Sequence, residues 1–206
     1  MIGSIKHYAF LVRVLFLLFL ATPILANDDI NADGFSKAAG AFKDGRFVES
    51  TSLFKVLAEA GNATAQYNYA ALLHAGLGAP VDFEEAWFWA WRARLGGISK
   101  AVDLTNKIKS EVSQERENGL VERLNQQYEK LAYDGDLSSM SYVAIVNFEA
   151  LTEPNCKKSY VWALVAQAFG RTDVQDIISD CSDVLEGDEK ISYQKDAKDL
   201  FDKIKK

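Results

Sequence analysis

Side-chain chemistry near neutral pH draws first on histidine, and this 206-residue chain has only two, His7 in an apolar N-terminal stretch and His74. His74 falls at the end of a helical stretch, where a cation meets the helix C-terminus favourably, so its position needs no catalytic explanation. Glu84 and Glu85 are adjacent on a helix and point to different sides, unlike the facing carboxylates that cleave glycosidic bonds. No Gly-x-Ser-x-Gly elbow, P-loop lysine, His-Glu-x-x-His pair or Gly-x-Gly-x-x-Gly turn occurs. The expectation is a non-enzymatic protein with no cofactor and no metal.

Three other constellations bear on that expectation. Asp29-Ile-Asn31-Ala-Asp33-Gly34 matches the first half of a calcium loop, whose oxygen ligands alternate ahead of a glycine turn, but the twelfth position is Gly40 instead of glutamate. Asn31 or Asp33 is therefore read as a helix cap. Asn62-Ala-Thr64 has the form of a glycosylation acceptor, in a turn that has its own use for small polar residues. Cys156 and Cys181, the only two cysteines, are too few for a closed zinc site and too far apart for a Cys-x-x-Cys redox pair. They are expected to form a structural disulfide.

An oxidising compartment would permit that bond. Residues 1–26 read as a secretory signal peptide: Lys6 and Arg13 precede or interrupt an apolar run, which Pro23 breaks ahead of a segment ending in Ala26. Removal of that segment takes two of the 23 basic side chains and no acid, leaving 21 against 29, a net charge of −8. Such a balance disfavours nucleic acid and anionic membrane as partners, and no later segment is apolar enough to span a bilayer. The expected location is the periplasm of a Gram-negative cell, or the exterior.

The elements that would position any site come from an internal repeat. Leu57-Ala-Glu-Ala-Gly61 through Ala70 aligns with Leu131-Ala-Tyr-Asp-Gly135 through Ala144, and Trp89-Ala-Trp-Arg-Ala through Gly97 aligns with Trp162-Ala-Leu-Val-Ala through Gly170. The turn glycines 61, 97, 135 and 170 are 36, 38 and 35 residues apart, the length of two helices and two turns. In the best unit, residues 61–101, Ala65-Gln-Tyr-Asn-Tyr-Ala70, Gly76-x-Gly78, Asp82, Glu85-Ala86, Trp89, Arg92-Ala93, Gly97 and Ala101 resemble the Sel-one-like repeat, a relative of the tetratricopeptide repeat. Residues 131–170 look like a degraded copy without the Gly-x-Gly turn. Residues 34–60 resemble a tetratricopeptide-type hairpin, and residues 98–130 carry little beyond helical periodicity.

The resemblance implies an all-α, right-handed solenoid of helix hairpins over residues 27–206, acting as an adaptor or regulator. Some bacterial envelope proteins of this kind restrain a two-component sensor. Independently, Phe83, Ala86, Trp89, Ala90 and Ala93 fall within about 120° of one another on a helix and make a core stripe. The pattern predicts ten helices, near 33–44, 47–60, 64–75, 82–95, 98–114, 117–133, 137–150, 156–169, 171–185 and 189–204, with Asp82 capping the fourth. Folding back at Gly170 brings Cys156 and Cys181 near each other. Leu200, Phe201 and Ile204 are expected to turn inward from a polar capping helix.

Trp87, Phe88, Trp91 and Leu95 form a second apolar arc on the same helix as Trp89. One reading packs this arc under the next hairpin; the other makes it an aromatic docking patch and the first candidate for a partner surface. The acidic positions Asp134, Asp136, Asp173, Asp176, Asp180 and Asp183 suit either solubility or a basic partner. The functional expectation is a scaffold that holds another envelope protein, such as a sensor, a secretion or flagellar-motor component, or a cell-wall enzyme. The alternative is an envelope carbohydrate- or peptidoglycan-binding protein, or an envelope enzyme or hydrolase accessory, that stacks sugars on Trp87, Trp89 and Trp91, which requires at least two exposed, coplanar rings. A self-assembling array is a third possibility.

Overall fold

The computed structural model describes the backbone of residues 25–204, and the side chains from residue 32 onward. The expected signal segment, apart from its last two residues, lies outside them. Among the described residues there are ten α-helices and no strand: α1 Leu25–Lys43, α2 Phe47–Glu59, α3 Ala63–Ala75, α4 Phe83–Leu95, α5 Lys100–Lys109, α6 Gln114–Tyr133, α7 Leu137–Ile145, α8 Cys156–Ala168, α9 Gln175–Val184 and α10 Gly187–Ile204. A π-helical turn, Val146–Ala150, extends α7. Among the described residues, no helix is long and apolar enough to cross a membrane.

Local chemistry sets most of the boundaries. The four turn glycines read from the repeat all take positive φ, between 85° and 95°. After each, the next amide bonds a carbonyl five residues earlier, as Asn62 N does to Leu57 O at 3.1 Å and Asp136 N does to Leu131 O at 2.9 Å. This is the backbone closure by which a left-handed residue ends a helix. Helix starts are capped as the residue types suggest: Asn62 accepts from Ala65 N at 2.8 Å, Asp82 from Glu85 N at 3.0 Å, and Asp136 from Ser139 N at 2.6 Å.

The helices pack largely in chain order, from α1 to α5 and from α6 to α9. Buried polar side chains tie successive helices together: Ser50 Oγ donates to Ala38 O at 2.9 Å, and Gln66 Nε2 to Ala58 O at 3.2 Å. The order changes at residues 110–113. There α5 and α6 make almost no contact; α5 lies against α4 and α3, while α6 lies against α7 and α4. Side chains bridge this joint: Arg116 pairs with Glu84 at 2.6 Å, Arg123 with Glu85, Arg94 with Glu149, and Lys109 lies 3.3 Å from the buried Glu117. At the far end α10 folds over α8 and α6, with Leu200 buried and Phe201 and Ile204 partly buried against the core.

Four expectations need correction. Asp29–Gly34 lies within α1, so it forms neither a calcium loop nor a helix start, and Asp33 instead pairs with Lys37 one turn on at 2.7 Å. The helix expected over 98–114 ends at Lys109, and the next begins at Gln114, where Ser113 Oγ accepts from Arg116 N at 3.4 Å. The helix expected to run to residue 150 widens to π geometry at Val146. Asn147 sits in that turn, donating to Val143 O and exchanging amide hydrogen bonds with Asn125 across α6; such side-chain insertion is a common cause of a widened turn. Finally, α9 begins at Gln175 rather than 171, because Arg171 and Asp173 are held in a turn.

That turn gives a pH-dependent expectation. Burial alone would raise the Asp173 carboxyl, but hydrogen bonds from Arg171 and Ser141 outweigh it and hold the group below its ordinary value of 3.8. The stability it contributes is therefore present above the unfolded value and lost as pH falls through the folded one. In urea melts at about pH 5 and pH 3, Asp173→Asn should lose less of its midpoint than the wild type does. An equal loss in both would show that the carboxylate contributes nothing to acid sensitivity.

Candidate binding groove

The sequence placed its partner surface on Trp87, Phe88, Trp91 and Leu95. All four are buried; Trp87 is 0% and Trp91 2% exposed. The rings of Trp87 and Trp91 contact each other at 5.6 Å. Arg123, reaching from α6, covers the Phe88 ring at 3.7 Å, and Arg94, held by Glu149, covers Trp91 at 4.4 Å. The arc is thus the packing face of the joint, not a docking patch. Trp89 is buried too, edge-on to Tyr69 at 5.7 Å and donating to Glu85 at 3.0 Å. The condition for a sugar platform, two exposed coplanar tryptophans, is therefore not met.

The remaining candidates have structural surroundings. Glu84 and Glu85 are both taken up by arginines of α6. The His74 ring lies 5.7 Å from Phe83 at the end of α3. Asp134, Asp136, Asp176, Asp180 and Asp183 are exposed. Cys156, the first residue of α8, and Cys181 in α9 stand at disulfide distance, with Cα atoms 5.2 Å apart, and Cys181 is fully buried.

A recess lies elsewhere, at the N-terminal end of the described chain. Helices α1 and α3 both pack on α2 but make almost no contact with each other, whereas the later pair α3 and α5 do touch. The gap is a groove of about 500 Å³ lined by Phe35, Ala39, Phe42 and Lys43 of α1, Phe54 of α2, Asn68, Ala71, Leu72 and Ala75 of α3, and Leu77. Its two walls are helical stripes: Phe35, Ala39 and Phe42 at i, i+4, i+7, and Asn68, Ala71, Leu72 and Ala75 at i, i+3, i+4, i+7. Phe54, braced edge-on by Phe35 at 5.4 Å, forms the floor. Phe42 remains 44% exposed.

Compared with family models and with curated proteins, the sequence matches neither. The groove is thus characterised by its own chemistry. It has the size of a ligand pocket, mostly apolar walls and a few polar groups. Among the described residues, neither the Lys43 ammonium nor the Asn68 amide has an ion-pair or hydrogen-bond partner.

Sequence reasoning passed over these residues because α1 carries two apolar stripes. Ala38 and Ala41 pack inward and are fully buried, which accounts for the small residues of the repeat pattern. Phe35 and Phe42 lie off that stripe, and two phenylalanines one helical face away from an alanine seam were the available signal.

Proposed function

We propose that this chain is an exported helical-repeat module, a right-handed solenoid of Sel-one-like and tetratricopeptide-like hairpins, that holds another envelope protein in the groove between α1 and α3. The observation that carries this reading is the groove itself: an open apolar recess between two helices, with an exposed phenylalanine at its rim and two polar groups without a partner among the described residues. Aromatic side chains that become fully desolvated in a pocket concentrate binding energy. The recurring glycine turns at 35- to 38-residue spacing support the repeat assignment. A cysteine pair at disulfide distance fits an oxidising compartment. Cleavage after Ala26 would keep every described lining residue, the first of which is Phe35.

The test fills the groove without disturbing the helix. Ala75→Arg places a long side chain at an exposed position of α3, and arginine is nearly as good a helix former as alanine. In proximity crosslinking within the source cells, wild type should capture a defined envelope protein. Ala75→Arg should reduce that capture about tenfold or more, while Ile191→Arg on the exposed face of α10 should leave it unchanged. Equal capture by all three proteins would remove the groove as the docking site.

A further inference from the structure

We infer that residues 175–196, which comprise α9 and the first half of α10, form a strap that the bond between Cys156 and Cys181 holds against α8, and that a dithiol reductant opens this strap while the rest of the chain stays folded. Along this stretch only Ile177 and Cys181 are buried. Helix α9 lies on α8 and makes almost no contact with any other helix. Helix α5, which follows α4 as α9 follows α8, buries Ala101, Thr105 and Ile108 in the same length and rests on both α4 and α3. The shift of 73 residues that carries Gly97 to Gly170 carries Phe83 to Cys156 and Ile108 to Cys181. A covalent bond thus stands where α4 and α5 present two apolar side chains, and it closes a loop over a sequence separation of 25. Fixing a residue costs conformational entropy whether or not its side chain is buried. A strap with so little burial therefore depends on the link, which restricts its open state.

Both ends of the strap are anchored without the sulfur atoms. Before it, Ser141 of α7 donates to Asp173 at 3.0 Å and accepts from Arg171 at 3.1 Å, and Val174 is fully buried. After it, Ala197 and Leu200 are buried, and the rings of Phe169 and Phe201 meet at 4.7 Å. Between the anchors the remaining contacts are peripheral. Gln194 donates to the Tyr160 hydroxyl at 3.4 Å, Lys157 lies over the Tyr193 ring at 5.4 Å, and Ile178 and Leu185 are only partly buried. Cys156 is partly exposed and Cys181 fully buried, so the thiolate of the reductant attacks the Cys156 sulfur. The S–S bond breaks, Cys181 leaves as a thiolate and takes up a proton, and a mixed disulfide forms on Cys156. The second thiol of the reductant then displaces Cys156, so that the reductant departs as a disulfide and both cysteines become thiols. Opening uncovers the side of α8 that carries Cys156 and Tyr160.

The probe is dithiothreitol, applied to the full chain purified without reductant from an oxidising compartment, with amide hydrogen exchange read by mass spectrometry before and after. Reduction is expected to raise exchange about tenfold or more over residues 175–196 and to leave α2, α3, α4 and α6 as protected as before. Iodoacetamide should then modify Cys181 about as fast as Cys156. The double substitution Cys156→Ser and Cys181→Ala should show the open pattern without reductant, and no further change when reductant is added. Unchanged protection over residues 175–196, or a Cys181 still shielded after reduction, would show that packing alone holds the segment and would overturn the inference. Loss of protection throughout the chain would overturn it as well, by making the bond a support of the whole fold. Two free thiols in the unreduced protein would remove the bond, and the strap with it.

Discussion

Gly78→Ala is expected to lower the folding free energy by about 3 to 5 kcal/mol, one of the largest effects available to a single methyl group in this chain. Two costs coincide at Gly78. Its φ of +77° lies in the left-handed region, where a β-carbon costs about 1 to 2 kcal/mol. An added β-carbon would also lie 2.6 Å from the carbonyl carbon of Phe47 and 2.5 Å from Thr51 Oγ1, at the start of α2. Thr51 further fixes this approach by donating to Leu77 O at 2.8 Å. The loop after α3 thus rests directly on the preceding hairpin, and relief of the clash means moving backbone. Gly61→Ala is the control: φ is +92°, but nothing lies within 4 Å of the added carbon, so about 1 to 2 kcal/mol is expected. Urea unfolding monitored by helicity measures both. Equal losses would mean that the contact of the loop with α2 carries no weight.

The second large effect is at Trp87. Trp87→Ala is expected to cost about 3 to 5 kcal/mol, the range for deleting a fully buried large ring. Trp87→Phe should cost about 1 kcal/mol or less, because the indole N–H is buried without a hydrogen-bond partner among the described residues, and its removal recovers part of the lost packing. Trp87 and Trp91 touch, so their double substitution will not be additive. Both variants can be followed by tryptophan fluorescence and urea melts. A Trp87→Ala protein as stable as wild type would contradict the burial, and would return the ring to consideration as a docking residue.

These two positions illustrate what could be read from residues alone. The helix boundaries at the glycine turns and at the Asn and Asp caps were legible because they rest on neighbours in sequence: a glycine that takes positive φ, and an Asn or Asp that bonds an amide three residues on. The folding back of α9 that brings Cys181 to Cys156 followed from the same turns. The fate of the Trp87 arc was not legible. Helical periodicity reports that a face is apolar, not what covers it, and the cover comes from α6 and the π turn, in stretches where the repeat pattern has faded. The Arg171–Asp173 turn escaped for a similar reason: its third member, Ser141, lies 30 residues from Arg171. The groove escaped because its two walls belong to helices that are not adjacent in the chain.

The turn glycines also bear on the repeat assignment proposed above. Between residues 57–97 and 131–170 most side chains differ, and the π turn and residues 151–155 stand in place of the Gly76-x-Gly78 loop, yet Gly135 and Gly170 follow helices with positive φ as Gly61 and Gly97 do. A core position tolerates many apolar replacements, provided that volume is roughly kept. A left-handed backbone position with open space around it accepts glycine without strain and charges every other side chain a similar penalty. Under the repeat assignment proposed above, such positions are expected to be the last to change, so the record of the repeat rests most durably on residues that have no side chain.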